Sequence, residues 1–129
     1  MAALTKNAPR TRVGEGRRFG NPVAAAGHIF AGAMVALNAT GFAIPATPTA
    51  TRMRGVALHE ADNSDGAAGA AMVETDRGPF LVANNGSVNR THIGGNVYVV
   101  DDNTVGAAGT LIAGKCLDVT PEGVTVEIL

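Results

Sequence analysis

A small β-barrel or sandwich of short antiparallel strands, carried behind an extended N-terminal arm, is the fold this sequence predicts. Two observations lead there. Beyond residue 22 the chain runs as short apolar segments broken by turn residues about every eight to twelve positions, the rhythm of sandwiches and barrels. Before it, the first eighteen residues hold half of the Lys and Arg on a stretch too poor in apolar side chains to fold alone. The division that follows is an arm over residues 1–21 and a body over 22–129.

The arm comes first. Lys6, Arg10, Arg12, Arg17 and Arg18 stand there against one acid, Glu15, with Phe19 as its single aromatic. Pro9 and three glycines, with no period of 3.6 or 2, favour an extended segment that orders only against a partner. In the body, Met34–Leu37, the turn Asn38-Ala39-Thr40-Gly41 and Phe42–Ile44 read as strand, turn, strand. Ala46–Thr51 is a Pro/Thr loop, and Arg54–Ala61 is a strand stopped by the dense turn signal Asp62-Asn63-Ser64-Asp65-Gly66. Ala71–Thr75 and Phe80–Ala83 flank Asp76-Arg77-Gly78-Pro79 as a hairpin would. The one short helical turn expected lies over Val88–Ile93, where Asn89 can cap. Val97–Val100, Thr104–Val105, Ile112–Val119 and Val124–Ile128 complete the series. In the last of these, Val124, Val126 and Ile128 alternate with Thr125 and Glu127, so one face is buried and the other wet.

Composition sets the scale. The chain has 129 residues, one domain's worth, and its 46% apolar content is mostly Ala and Val, with no Trp and one Tyr. Each buried side chain therefore contributes little area at roughly 25 cal/mol per Å², and such a body gains by oligomerising or docking on a larger surface. The net charge of −1 conceals a polarity, because the arm carries about +4 and the body about −5. A single cysteine, Cys116, excludes an internal disulfide and gives no argument for an oxidising compartment, so folding in the cytoplasm is expected. The apolar run Pro22–Leu37 contains His28 and falls short of the ~20 apolar residues a bilayer span needs, so no membrane association is expected.

Several motifs carry residue types that could do chemistry, and each has a packing alternative. Gly109-Thr-Leu-Ile-Ala-Gly114-Lys115-Cys116 has the P-loop spacing but puts Cys where Ser or Thr should hold magnesium, and the residues after it read as a strand hairpin instead of a helix. A β-hairpin loosened by glycine, with Lys115 in solvent, is the expected reading. His59-Glu60 lacks the second histidine of a zinc helix, and His28, His59 and His92 share no ligand spacing. Asp62–Gly66 resembles part of a calcium loop, yet Val73 stands where the bidentate Glu belongs. Alternation turns Cys116 away from Lys115 and into the core. The two serines, Ser64 and Ser87, lie in no nucleophile elbow. The sequence therefore predicts no enzyme, no catalytic or metal residues and no cofactor.

The opening Met-Ala-Ala-Leu-Thr-Lys-Asn-Ala-Pro-Arg10, the segment Pro22-Val-Ala-Ala-Ala-Gly-His-Ile-Phe-Ala-Gly-Ala-Met-Val35, the hairpin Asn96–Val105 and the closing Ala113-Gly-Lys-Cys-Leu-Asp-Val119 resemble the small capsid decoration, or cement, proteins of tailed bacteriophages. The resemblance implies a compact β-protein on the outside of the virion, commonly a homotrimer at threefold positions, clamping major capsid protein after synthesis in the host cytoplasm. On this reading the capsid-binding arm residues are Lys6, Arg10, Arg12, Arg17, Arg18 and Phe19. The alternative is a nucleic-acid-binding accessory protein using the same arm. It is the lesser one, because the body offers no basic face with interleaved aromatics.

Overall fold

The structure, a computed structural model, describes residues 3–10 and 15–128. The fold is nearly all β, as expected, and it is at once a barrel and a layered sheet. The sheet has five strands in the order β1 (Arg18–Pro22), β7 (Met72–Asp76), β5 (Arg52–Ala57), β3 (Met34–Leu37) and β4 (Ala43–Pro45). The closed barrel runs β10 (Thr104–Gly106), β8 (Phe80–Asn84), β12 (Gly123–Ile128), β11 (Ile112–Thr120) and β9 (Asn96–Val99). A third, two-stranded piece pairs β2 (His28–Ile29) with β6 (Ala61–Asp62). No helix among the described residues is long and apolar enough to cross a membrane.

Strand β3 explains how the layers stack. Met34 and Ala36 enter one core with Met53 and Val56 of β5 and the barrel residues Val97, Val105, Ala113, Cys116, Val124, Val126 and Ile128. Val35, between them, enters a second core with Val23, Ile29, Ala43, Ala57, Ala61 and Val73. The sheet is thus covered by the barrel on one face and by the β2/β6 clip on the other. Burial on both faces requires a continuous apolar run, and β3 shows Met-Val-Ala-Leu instead of alternation.

Several local expectations are met residue by residue. Asn38 closes the β3–β4 turn by accepting from the Thr40 and Phe42 amides, both at 3.0 Å. The short helical turn is a 3-10 turn at Arg90–His92, where the Asn89 side chain accepts from Thr91 N and the His92 ring accepts from Asn89 N at 3.0 Å. Strand β12 buries Val124, Val126 and Ile128 completely and leaves Thr125 and Glu127 half-buried.

Others are corrected. The strand expected over Arg54–Ala61 begins at Arg52 and ends at Ala57, and Ala61–Asp62 belongs to the separate clip. More consequentially, β7 and β8 form no hairpin: β7 pairs with β1 and β5 in the sheet, and β8 pairs with β12 and β10 in the barrel. The link between them is a crossover whose backbone is consumed elsewhere. Arg77 N donates to Arg17 O at 3.0 Å, Ile128 N donates to Arg77 O at 2.9 Å, and Pro79 has no amide to give. The β8–β10 pair is also parallel, the one departure from antiparallel order among the named strand pairs.

Candidate functional site

The arm splits into a free part and an anchored root. Residues 3–10 are all exposed, Lys6 and Arg10 among them, and among the described residues no ion pair ties either to the body. Arg12 lies outside the described residues. From Arg18 the chain is a strand, although residues up to 21 were expected in the arm: β1 lies antiparallel to β7, with Phe19 opposite Thr75 and Asn21 opposite Val73. The sequence hid this strand because its inward positions are Phe19 and Asn21 and its outward ones include Gly20 and Pro22, so the apolar alternation of a strand is missing.

Three of the proposed arm residues are held against the body. Arg17 donates to the Gly78 carbonyl and lies 3.8 Å from Asp76 Oδ1. Arg18 Nε donates to Asp76 Oδ2 at 3.0 Å. Phe19 receives the Arg54 guanidinium over its ring, 4.4 Å from the centroid. The structure therefore gathers Arg17, Arg18 and Phe19 at the root, while Lys6 and Arg10 extend along the exposed part.

The organising group of the root is Asn21, buried to 2% exposure. Its amide nitrogen donates to Phe19 O at 3.0 Å, to Val73 O at 3.1 Å and to Thr75 Oγ1 at 3.1 Å, and its oxygen accepts from Arg54 Nε. One side chain thus ties β1 to β7 and β5. Asp76 makes the second tie. Its carboxyl is held below the ordinary carboxylate range, first by the Gly78 amide donating to it at 2.8 Å and then by Arg18 and Arg17. Arg77 completes the root by donating through Nε to Ile128 O at 3.0 Å and through Nη1 to Gly16 O at 3.3 Å. Sequence reasoning missed Asn21, Arg54, Thr75, Asp76 and Arg77. The available signal was a charged and polar turn, Thr75-Asp76-Arg77, beside a basic segment, which a hairpin reading absorbs equally well.

The chemical motifs resolve into packing. Lys115 is exposed on β11 and Cys116 is buried, and burial pushes the Cys116 thiol up. Both glycines of the P-loop-like spacing mark close approaches. A Cβ on Gly114 would lie 2.1 Å from Glu127 O of β12, and one on Gly109 would lie 2.8 Å from Tyr98 Cβ. The histidines serve separate parts: His28 meets Glu60 Oε2 at 2.6 Å, His59 Nε2 accepts from Glu74 N at 3.1 Å, and His92 sits in the cap described above. In the Asp62–Gly66 loop, Asn63 is buried and donates to Ala24 O at 3.0 Å and Ala67 O at 2.9 Å, so the loop is a structural turn. The hydroxyls of Ser64 and Ser87 bond to Asp62 and Asn85 two residues away. Among the described residues, no three of His, Cys, Asp and Glu are grouped as metal ligands would be.

What this arrangement offers is attachment: a free cationic segment on a root fixed by hydrogen bonds and ion pairs. Family models, curated proteins and solved structures all give no match to this chain.

Proposed function

We propose that this chain is a non-enzymatic virion structural protein that decorates and cements the exterior of a tailed-phage head as a homotrimer, docking on major capsid protein partly through its N-terminal arm. The observation that carries the reading is the arm itself, exposed over residues 3–10 with Lys6 and Arg10 and rooted in the body by β1. A cement protein needs area, symmetry and reach. The segment ahead of the root, about fourteen residues, spans up to roughly 46 Å when fully extended at about 3.3 Å per residue, enough to cross onto a neighbouring subunit. Three arms on one trimer raise the effective concentration of each, so weak contacts sum to long residence. Binding only the assembled shell stabilises it by mass action. The resemblance of Met1–Arg10, Pro22–Val35, Asn96–Val105 and Ala113–Val119 to cement proteins supports the same assignment.

Nucleic acid would use the same arm, but the body argues against it. Of the five aromatics only Phe30 is exposed, and it stands among carboxylates that repel phosphate. Deleting residues 2–14 tests the proposal: the body stays folded and its occupancy on heads falls, whereas full retained occupancy would remove the docking role. A DNA titration at low and near-physiological salt separates the alternative, which requires binding that weakens steeply with salt.

A further inference from the structure

The body carries an exposed aromatic that none of the described residues covers. Phe30 is 59% exposed and opens the tight turn Phe30-Ala31-Gly32-Ala33, in which Ala33 N donates to Phe30 O at 3.1 Å. That turn is suspended between two supports: Gly32 N donates to Ala57 O at 2.9 Å, and Met34 N donates to Asp102 O at 2.7 Å. Beside the ring lies a cleft of about 380 Å³ lined by residues 30–33, Asp102 and Asn103. The His28 ring stands 4.4 Å from that of Phe30 and is itself held by Glu60, at 2.6 Å, with Asp62 at 4.0 Å. The phenyl ring thus stands against His28, whose own partners are Glu60 and Asp62, and beside a cleft that Asp102 helps to line.

The charge around it is of one sign. Residues 55–76 and 91–114 contain seven of the eleven acids and no Lys or Arg, and residues 24–51 contain no Lys or Arg either. Opposite in character is the arm, where Leu4 is 62% exposed and Lys6 and Arg10 stand unbonded to the body. The segment bends at Thr5-Lys6 and pairs as no strand here; drawn out along a surface it would set Leu4 and Lys6, two apart, on one side about 7 Å from each other. One copy of the chain therefore exposes both a cationic segment with an apolar side chain and an acidic, partly apolar cleft, and none of the described arm residues lines that cleft.

We propose that the Phe30 cleft seats the arm of a second copy of this chain, with Leu4 against Phe30 and Lys6 and Arg10 facing Glu60, Asp62 and Asp102. The contact is head-to-tail, which closes into a ring when the rotation permits; the trimer reading above supplies only the ring's size, and nothing in the inference rests on a capsid. In the free protein the arms lace neighbouring copies together.

Sedimentation of purified protein tests this with two half-competent variants. Deletion of residues 2–14 keeps the cleft and removes the donor; Phe30→Ser with Asp102→Lys keeps the arm and removes the seat. The expected results are a full chain that associates at about 50 mM salt and dissociates at about 1 M as the ion pairs are screened, two variants that are folded by circular dichroism and monomeric alone, and an equimolar mixture that forms a one-to-one heterodimer. A full chain that is monomeric at low salt overturns the proposal. So does a deletion variant that associates as the full chain does, which assigns assembly to a body–body interface, and so does a mixture that stays monomeric. Because no shell is present, these failures leave the capsid reading to its own test on heads.

Discussion

At the scale of single residues, two asparagines show what a sequence reveals and what it conceals. Asn38 and Asn89 cap turns through local hydrogen bonds, so their positions relative to neighbouring apolar runs were enough to read them. Asn21 acts through partners more than thirty residues away, and nothing local announces that it is buried. Its removal is correspondingly costly. Asn21→Ala removes one hydrogen-bond partner each from Val73 O, Thr75 Oγ1 and the Arg54 guanidinium and should destabilise the body by about 1–3 kcal/mol in urea unfolding. An unchanged midpoint would show that β1 is not held by this network. Asp76 gives a prediction with a pH signature. Because its folded-state pKa lies below the ordinary value of about 3.9, its contribution is fully present above that value and is lost as pH falls through the lower folded one. Asp76→Asn should cost on the order of 1 kcal/mol at neutral pH, a modest figure because Arg17 and Arg18 are more than half exposed and screened by solvent. The deficit should narrow toward zero below about pH 4. A deficit independent of pH would mean that the carboxylate's charge is irrelevant to the root.

At the scale of elements, strands with a clear burial pattern were legible and strand partners were not. β12 alternates because the barrel interior takes every second side chain, and β3 is apolar throughout because two cores share it. The segments β7 and β8 were recognisable as strands, yet their short link suggested a pairing that the backbone bonds of Arg77 to Arg17 and to Ile128 of β12 preclude. β1 and the two-residue β2 were the elements lost altogether; in β1 a buried face built of Asn21 and Phe19 carries no apolar alternation. A truncation series tests where the arm ends. Removing residues 2–14 should leave the unfolding midpoint within about 0.5 kcal/mol of the full chain. Removing residues 2–22 strips β1 from Val73 and Thr75 and should lower stability by several kcal/mol or abolish folding. Equal stability of the two truncations would place β1 outside the cooperative unit.

For the whole molecule, the governing feature is the separation of charge from shape. The body closes one sheet into a barrel and covers the other on both faces. The arm carries the opposite charge and is exposed over residues 3–10. That polarity was readable from the sequence because charge can be counted without knowing the fold. The root that gives it direction was not, because Asn21, Arg54 and Asp76 come together only after β1, β5 and β7 are placed side by side. The central claim, decoration of a phage head through this arm, is tested most directly by imaging heads purified from cells that carry the gene with and without codons 2–14. Protruding density at threefold positions is expected with the full chain, and its loss, at equal levels of folded protein, with the truncated one. Heads that lack such density although the full chain is abundant and folded would contradict the claim.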